Sequence, residues 1–216
     1  MASYTEPTRP LEAVLYETPE LSRESITIVN GTAAFDAGMV LGRTLTSGTA
    51  TAVGFPTNTA SVGAVGTITV GGAAKIGTYT LTVVEPATNA GSFVLVDPEG
   101  ITVGKGDVAS EFDAGGLTFT VADATPDFGA GDGFHIHVAG AYHYAPFDDG
   151  NTDGTNVARA IALYGCDASE AATDVAAITR LAAVKSAALK WHASADATAK
   201  AQAAVDLAKA TILVRS

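Results

Sequence analysis

The chain has 216 residues, 47% of them hydrophobic, which suits one domain with a large insertion or two modest domains with proper cores. A net charge of -11, with Lys and Arg totalling 12, excludes a duplex phosphate backbone or an anionic membrane as a natural partner. Glycine at 23 residues with many Thr, Val and Ala favours short strands joined by turns, and the single cysteine, Cys166, excludes an internal disulfide.

Met1 to Pro7 lack a basic n-region and an apolar h-region, and no run approaches a membrane span, so neither targeting nor membrane insertion is expected. Residues 1–20 carry Pro7, Pro10 and Pro19, which fix φ and remove backbone donors, and they read as an extended arm. Leu11, Val14, Leu15 and Tyr16 form an apolar cluster too small to be a core. The residues alone leave open whether it docks on another subunit or packs on its own domain. From Ser22 to Gly42, Ile26 and Ile28, then Met39 and Leu41, alternate with outward neighbours. Asn30-Gly31 and Asp36-Ala37-Gly38 supply turn chemistry between them, which predicts a hairpin. Arg43 to Thr51 reads as a strand fading into a small-residue connector, with a boundary near residue 50.

From Val62 to Val138 the pattern turns densely β: Gly66–Val70, Gly77–Val84, Gly91–Val96, Gly116–Val121 and Gly133–Val138, with turns between. The spacing predicts a sandwich or small barrel with Tyr79, Leu81, Val83, Phe93, Leu95, Phe119 and Val121 as its core. Asp97-Pro98-Glu99-Gly100 is a strong turn.

The acidic, glycine-rich loop Asp148 to Gly154 marks a second boundary. Ile161 and Leu163 share a face. In Asp174 to Trp191 the alanines and the spacing of Val175, Ile178, Ala182 and Lys185 suit a helix. Ser194 is the expected N-cap of a helix over Ala195 to Ala210, with Ala199, Ala203 and either Leu207 or Val205 inward. Thr211 to Arg215 closes the chain as a strand.

Catalytic signatures are weak throughout. His135 and His137 share a strand face as a metal pair does, yet no Cys, third His or carboxylate is tied to them by spacing, so a structural or surface role is the stronger reading. Asp97, Glu99, Asp123, Asp127 and Asp132, and the loop Asp148 to Asp153, lack the spacing and terminal Glu of a calcium loop. They read as turn-forming carboxylates. Gly71 to Thr78 misses the order of a phosphate-binding loop, Cys166 lacks a His partner, and no nucleophile elbow occurs. Neither catalytic, cofactor-binding nor metal-binding residues are therefore assigned. Trp191, Tyr142 and Tyr144 suit interface anchors or core equally.

Ser22-Arg23-Glu24, the β run after it and Ala37-Gly38-Met39-Val40-Leu41-Gly42 resemble the N-terminal signature of the tailed-phage head decoration proteins, relatives of the lambda decoration protein. The turn-rich order through Gly77, Gly91, Asp97-Pro98-Glu99-Gly100, Asp127-Phe128 and Gly131-Asp132-Gly133-Phe134 resembles the β insert of the longer members. The closing helix and apolar strand ending in Arg215 resemble the family's end. Ile178-Thr179-Arg180, Ala183-Val184 and Leu189-Lys190-Trp191 resemble a family stretch of a β strand followed by a short connector, which favours strand over helix in 174–191.

It implies a mainly β fold with one or two helices (α+β): a decoration-type β domain, of the β-tulip kind, carrying an inserted β-sandwich or small barrel. The expected domains are an arm over 1–20, a discontinuous capsid-binding and trimerisation domain over 21–50 plus 141–216, and an insert over 51–140. It further implies a non-enzymatic virion protein on the outer capsid surface. Its partners would be two further copies of itself, as a homotrimer, and the major capsid protein. The expected contact residues are Leu11, Val14, Leu15 and Tyr16 on the arm, with Arg23, Glu24 and Trp191; Arg180 and Arg215 also match family positions. The alternative is a virion-surface binding module whose insert recognises a host glycan or protein.

Overall fold

A computed structural model of the chain describes residues 9–59 and 63–216. The first eight residues of the expected arm, Pro7 among them, and Val62 at the start of the β-rich stretch lie outside the described residues. Among the described residues the fold is mainly β, with 50% in strands and two helices, and it contains a small closed five-stranded barrel. The chain divides into two compact units, one of residues up to Thr44 with Tyr142–Ser216, the other of Leu45–Ala141.

The discontinuous unit begins with β1 (Val14–Glu17), one helical turn α1 (Pro19–Ser22), β2 (Arg23–Ile28), β3 (Thr32–Phe35) and the start of β4 (Val40–Gly54). The expected hairpin over Ser22 to Gly42 does not form. β2 and β4 lie apart in the sheet, β2 pairing along its length with a strand near residue 175 and β4 with one near residue 160. The turn residues between them serve β3, which pairs instead with residues 166–168. Alternation set the faces of Ile26, Ile28 and Leu41 but was blind to their partners. β4 also runs on without a break to Gly54, so the small residues expected to be a connector are strand.

In the second unit the chain continues as β5 (Thr69–Val70), β6 (Gly77–Ala87), β7 (Ala90–Val96), β8 (Thr102–Asp107), β9 (Glu111–Ala114), β10 (Leu117–Thr120) and β11 (Gly133–Pro146), whose last residues return to the first unit. β6, β7 and β8 are consecutive antiparallel neighbours, and β5, β10 and β9 form a three-stranded sheet. Phe93 on β7 meets Phe112 and Phe119 on the other sheet, with ring centroids 5.6 and 6.1 Å away, and those two rings lie 5.1 Å apart. Tyr79, Leu81, Val83, Leu95 and Val121 are buried with them. Each such side chain contributes about 1.5–3 kcal/mol through burial, and each ring pair about 0.5–1.5 kcal/mol more. β8 and β9 escaped the sequence reading because Gly104, Lys105 and Gly106, and the charged Glu111 and Asp113, blur the apolar alternation. The strand expected over Gly66–Val70 shrinks to two residues plus an isolated bridge from Val65 to Val121.

Back in the first unit follow β12 (Ala158–Ala162), β13 (Cys166–Ala168), β14 (Thr173–Ile178), β15 (Ala182–Lys185), a 3-10 turn over Ser186–Ala188, α2 (Ala197–Lys209) and β16 (Ile212–Arg215). The stretch 174–191 is thus two strands and a short turn, against its alanine-driven helix propensity. Val175, Ala177 and Ile178 are buried, and six residues of β14 pair with β2. The helix α2 starts two residues later than expected. Asp196, not Ser194, is its N-cap, accepting from the Ala199 amide at 2.8 Å, while the Ser194 hydroxyl donates to Asp148 at 2.9 Å. Ala199, Ala203 and Leu207 point inward and Val205 outward. That helix packs with Val40, Phe147, Ile161, Leu163, Val184 and Ile212 into one core, and Ile26, Ile28, Leu41, Tyr144 and Val175 belong to another.

Candidate functional site

In the first unit β15 pairs antiparallel with β1 and parallel with β16, giving a three-stranded sheet in which β1 and β16 are the edges. Edge strands present unpaired backbone groups, the usual template for adding a further strand. Val184, Ile212 and Ala182 face inward and are buried. Directly paired residues share a sheet face, so Tyr16, Ala183 and Leu213 form one outward row. One step along, Lys185 and Arg215 form the next outward row.

Tyr16 is 69% exposed and Leu213 43%, and Leu15, at an irregularity in the β1 register, is 54% exposed. The outward face is therefore apolar beside cationic, on a chain whose net charge is -11.

Local contacts hold β1 in place. The Ser22 hydroxyl, fully buried, donates to the Leu181 carbonyl at 2.8 Å and accepts from the Thr18 amide at 3.0 Å. Arg23 makes a two-point ion pair with Glu17 at the end of the strand, its Nε donating at 2.9 Å. That hydrogen bond, with the nearby carboxylate charge, raises the Arg23 pKa above its ordinary value. Glu24 pairs with Arg180 at 2.5 Å.

The residues singled out from sequence thus divide. Leu15, Tyr16 and, less fully, Leu11 are exposed, whereas Val14 packs against the core. Arg23 and Glu24 spend their charges inside the chain. Trp191 is partly buried, 6.4 Å edge-on from Phe147, with the Lys200 ammonium 5.9 Å from its ring. It also lines a shallow hollow of about 370 Å³ with Phe35, Asp36, Met39 and Lys190. Tyr144 is buried, which raises its pKa, and Tyr142 carries the Arg43 guanidinium 4.0 Å from its ring. Leu213 and Lys185 carry no local signal, because Leu213 reaches Tyr16 through the parallel β15–β16 pairing that spans α2 and Lys185 through the long-range pairing of β15 with β1.

The other candidate chemistry resolves into local bonding. Asp132 accepts from the Thr59 amide and hydroxyl at 2.8 Å each and from the Gly129 amide at 2.9 Å. Asp153 accepts from the Thr155 amide at 3.0 Å, and Asp148 from the Gly150 amide at 3.1 Å. The Ser194 hydroxyl, then the Gly150 amide, hold the Asp148 carboxyl below its ordinary pKa. Burial, with Asp167 nearby, pushes the Cys166 thiol up, away from a reactive thiolate. Among the described residues no group of three or more His, Cys, Asp and Glu is placed to hold a metal ion. No helix among them is long and apolar enough to cross a membrane.

The sequence matches the family of the bacteriophage lambda head decoration protein D over residues 3–212. The chain belongs to that family. Head decoration is a structural role, so the family sets this chain's task at the phage capsid. No curated protein matches the chain. Two similar solved structures, both of Xanthomonas campestris FlgL, in space groups H3 and C2, share 19% and 18% identity. They cover 50% and 51% of this chain, each at a TM-score of 0.33, and the chain spans 34% of their length. That likeness is local and carries no argument about the decoration protein's fold or role.

Proposed function

We propose that the chain attaches to the outer surface of the phage head as a homotrimer and stabilises the shell against the pressure of packaged DNA. The match to the head decoration family over residues 3–212 carries this reading. Packaged DNA pulls capsomers apart, and a clip bridging capsid subunits opposes that by burying area across the seams, on the order of 1,600 Å² for a standard interface. Three attachments on one trimer raise the effective concentration of each, so individually modest contacts hold firmly.

Within this reading the discontinuous unit is the capsid-binding body, and Leu15, Tyr16 and Leu213, with Lys185 and Arg215 beside them, are the docking face. Apolar anchors supply affinity, and the two cations select a capsid surface bearing carboxylates. The insert's aromatics, Tyr79, Phe93, Phe119 and Phe134, are buried, so they supply no exposed aromatic row for a host glycan.

The test mixes the purified chain with expanded, undecorated capsids. The wild-type chain is expected to run as a trimer in solution and to saturate the shell, more weakly as salt rises. The double substitution Leu15→Glu with Tyr16→Glu places charges on exposed positions, so it should leave the fold and trimer mass intact while attachment drops about a hundredfold or more. Equal attachment by this variant would remove β1 from the docking face.

A further inference from the structure

On β11, Phe134, Ile136 and Val138 are buried while His135 and His137, which alternate with them, are exposed on the opposite face. Both backbones are fixed by pairing to β6, His135 opposite Thr80 and His137 opposite Thr78. The two ring centroids lie 6.3 Å apart, with the planes inclined at 35°. The His137 ring is oriented by the Thr78 hydroxyl, 3.0 Å from its Nδ1. With Nδ1–H donating to that oxygen, Nε2 carries the free lone pair, the arrangement in which an outer partner fixes the tautomer of a metal-ligating histidine. His135 is steadied from the other side by Phe55, at a centroid distance of 4.7 Å.

We propose that His135 and His137 form a surface chelate for a divalent first-row transition-metal ion such as Zn²⁺, Ni²⁺ or Cu²⁺. Zinc–nitrogen bonds of about 2.0–2.1 Å set two ligating nitrogens roughly 3–3.5 Å apart. Ring nitrogens stand off their centroids, so modest χ1 and χ2 rotation of two exposed side chains reaches that separation without moving the strand. Imidazole suits these borderline ions, whereas Ca²⁺ and Mg²⁺ favour carboxylate and carbonyl oxygens, and the residues paired opposite the two rings, Thr78 and Thr80, offer hydroxyls instead. Two protein ligands leave the remaining coordination positions to water, open to a donor from another molecule.

The test titrates the whole chain with zinc chloride at neutral pH and follows the ring resonances of its four histidines. His135 and His137 are expected to shift together and saturate at one ion per chain. Their midpoint should fall about tenfold or more below that of His143 and His192, because the second imidazole binds intramolecularly. His137→Gln should bring the His135 response down to the level of those two, with the amide spectrum otherwise unchanged, and calcium should move neither ring. Equal midpoints for all four rings, or an undiminished His135 response in His137→Gln, would overturn the proposal.

Discussion

Asp97 sits at the turn between β7 and β8, where its carboxylate accepts from the amides of Glu99 and Ile101 at 2.9 Å each and from the Lys75 ammonium at 2.5 Å. Burial alone would raise its pKa, but the Lys75 hydrogen bond and the two amides more than reverse this, and the net shift is downward. A carboxyl with a depressed folded-state pKa contributes stability that is present above its unfolded value, near 4, and is lost as pH falls through the folded value. Asp97→Asn is therefore expected to cost about 1–3 kcal/mol at neutral pH. In urea titrations the gap to wild type should close as pH drops below about 4; a gap independent of pH would assign the effect to shape rather than charge. Gly42 is constrained by space instead, since a Cβ there would stand 2.1 Å from the carbonyl oxygen of buried Thr155. Gly42→Ala should cost about 1–3 kcal/mol of unfolding free energy, as overpacking does, read as a lower urea midpoint.

The elements show which parts of the fold were legible in sequence. Period-two alternation located β2, β6, β7, β10 and the first half of β11, and alanine-rich spacing located α2, because those signals are local. Pairing is not local: the turn residues near Asn30 and Asp36 looked like a hairpin, yet the hydrogen bonds of β2 go to β14, whose own residues read equally well as helix. The face proposed for docking was half legible for the same reason. Leu15 and Tyr16 are visible in sequence as an apolar cluster, but the bulge that leaves Leu15 exposed and the β16 strand that brings Leu213 alongside are products of tertiary pairing. The start of α2 allows a direct check. Asp196→Ala should destabilise the first unit by about 1 kcal/mol, while Ser194→Ala should leave the helix start unchanged, as read by amide exchange at Ala199.

At the scale of the molecule, the chain leaves its first unit at Thr44 and rejoins it at Tyr142, so the insert of Leu45–Ala141 is fed by two strands and has its own core around Phe93, Phe112 and Phe119. A unit with its own core can be weakened without touching surfaces elsewhere, and that separates the two roles proposed for the chain. Phe112→Ala removes the ring that meets both others and should cost the insert about 3–5 kcal/mol. Faster amide exchange is then expected across 45–141, with little change in α2 and β14. If the first unit alone grips the shell, this variant should still form trimers and saturate undecorated capsids even in mild denaturant that opens its insert but leaves α2 and β14 protected. A matched loss of attachment would move the docking face onto the insert and revive the reading in which its surface, not β1, does the binding.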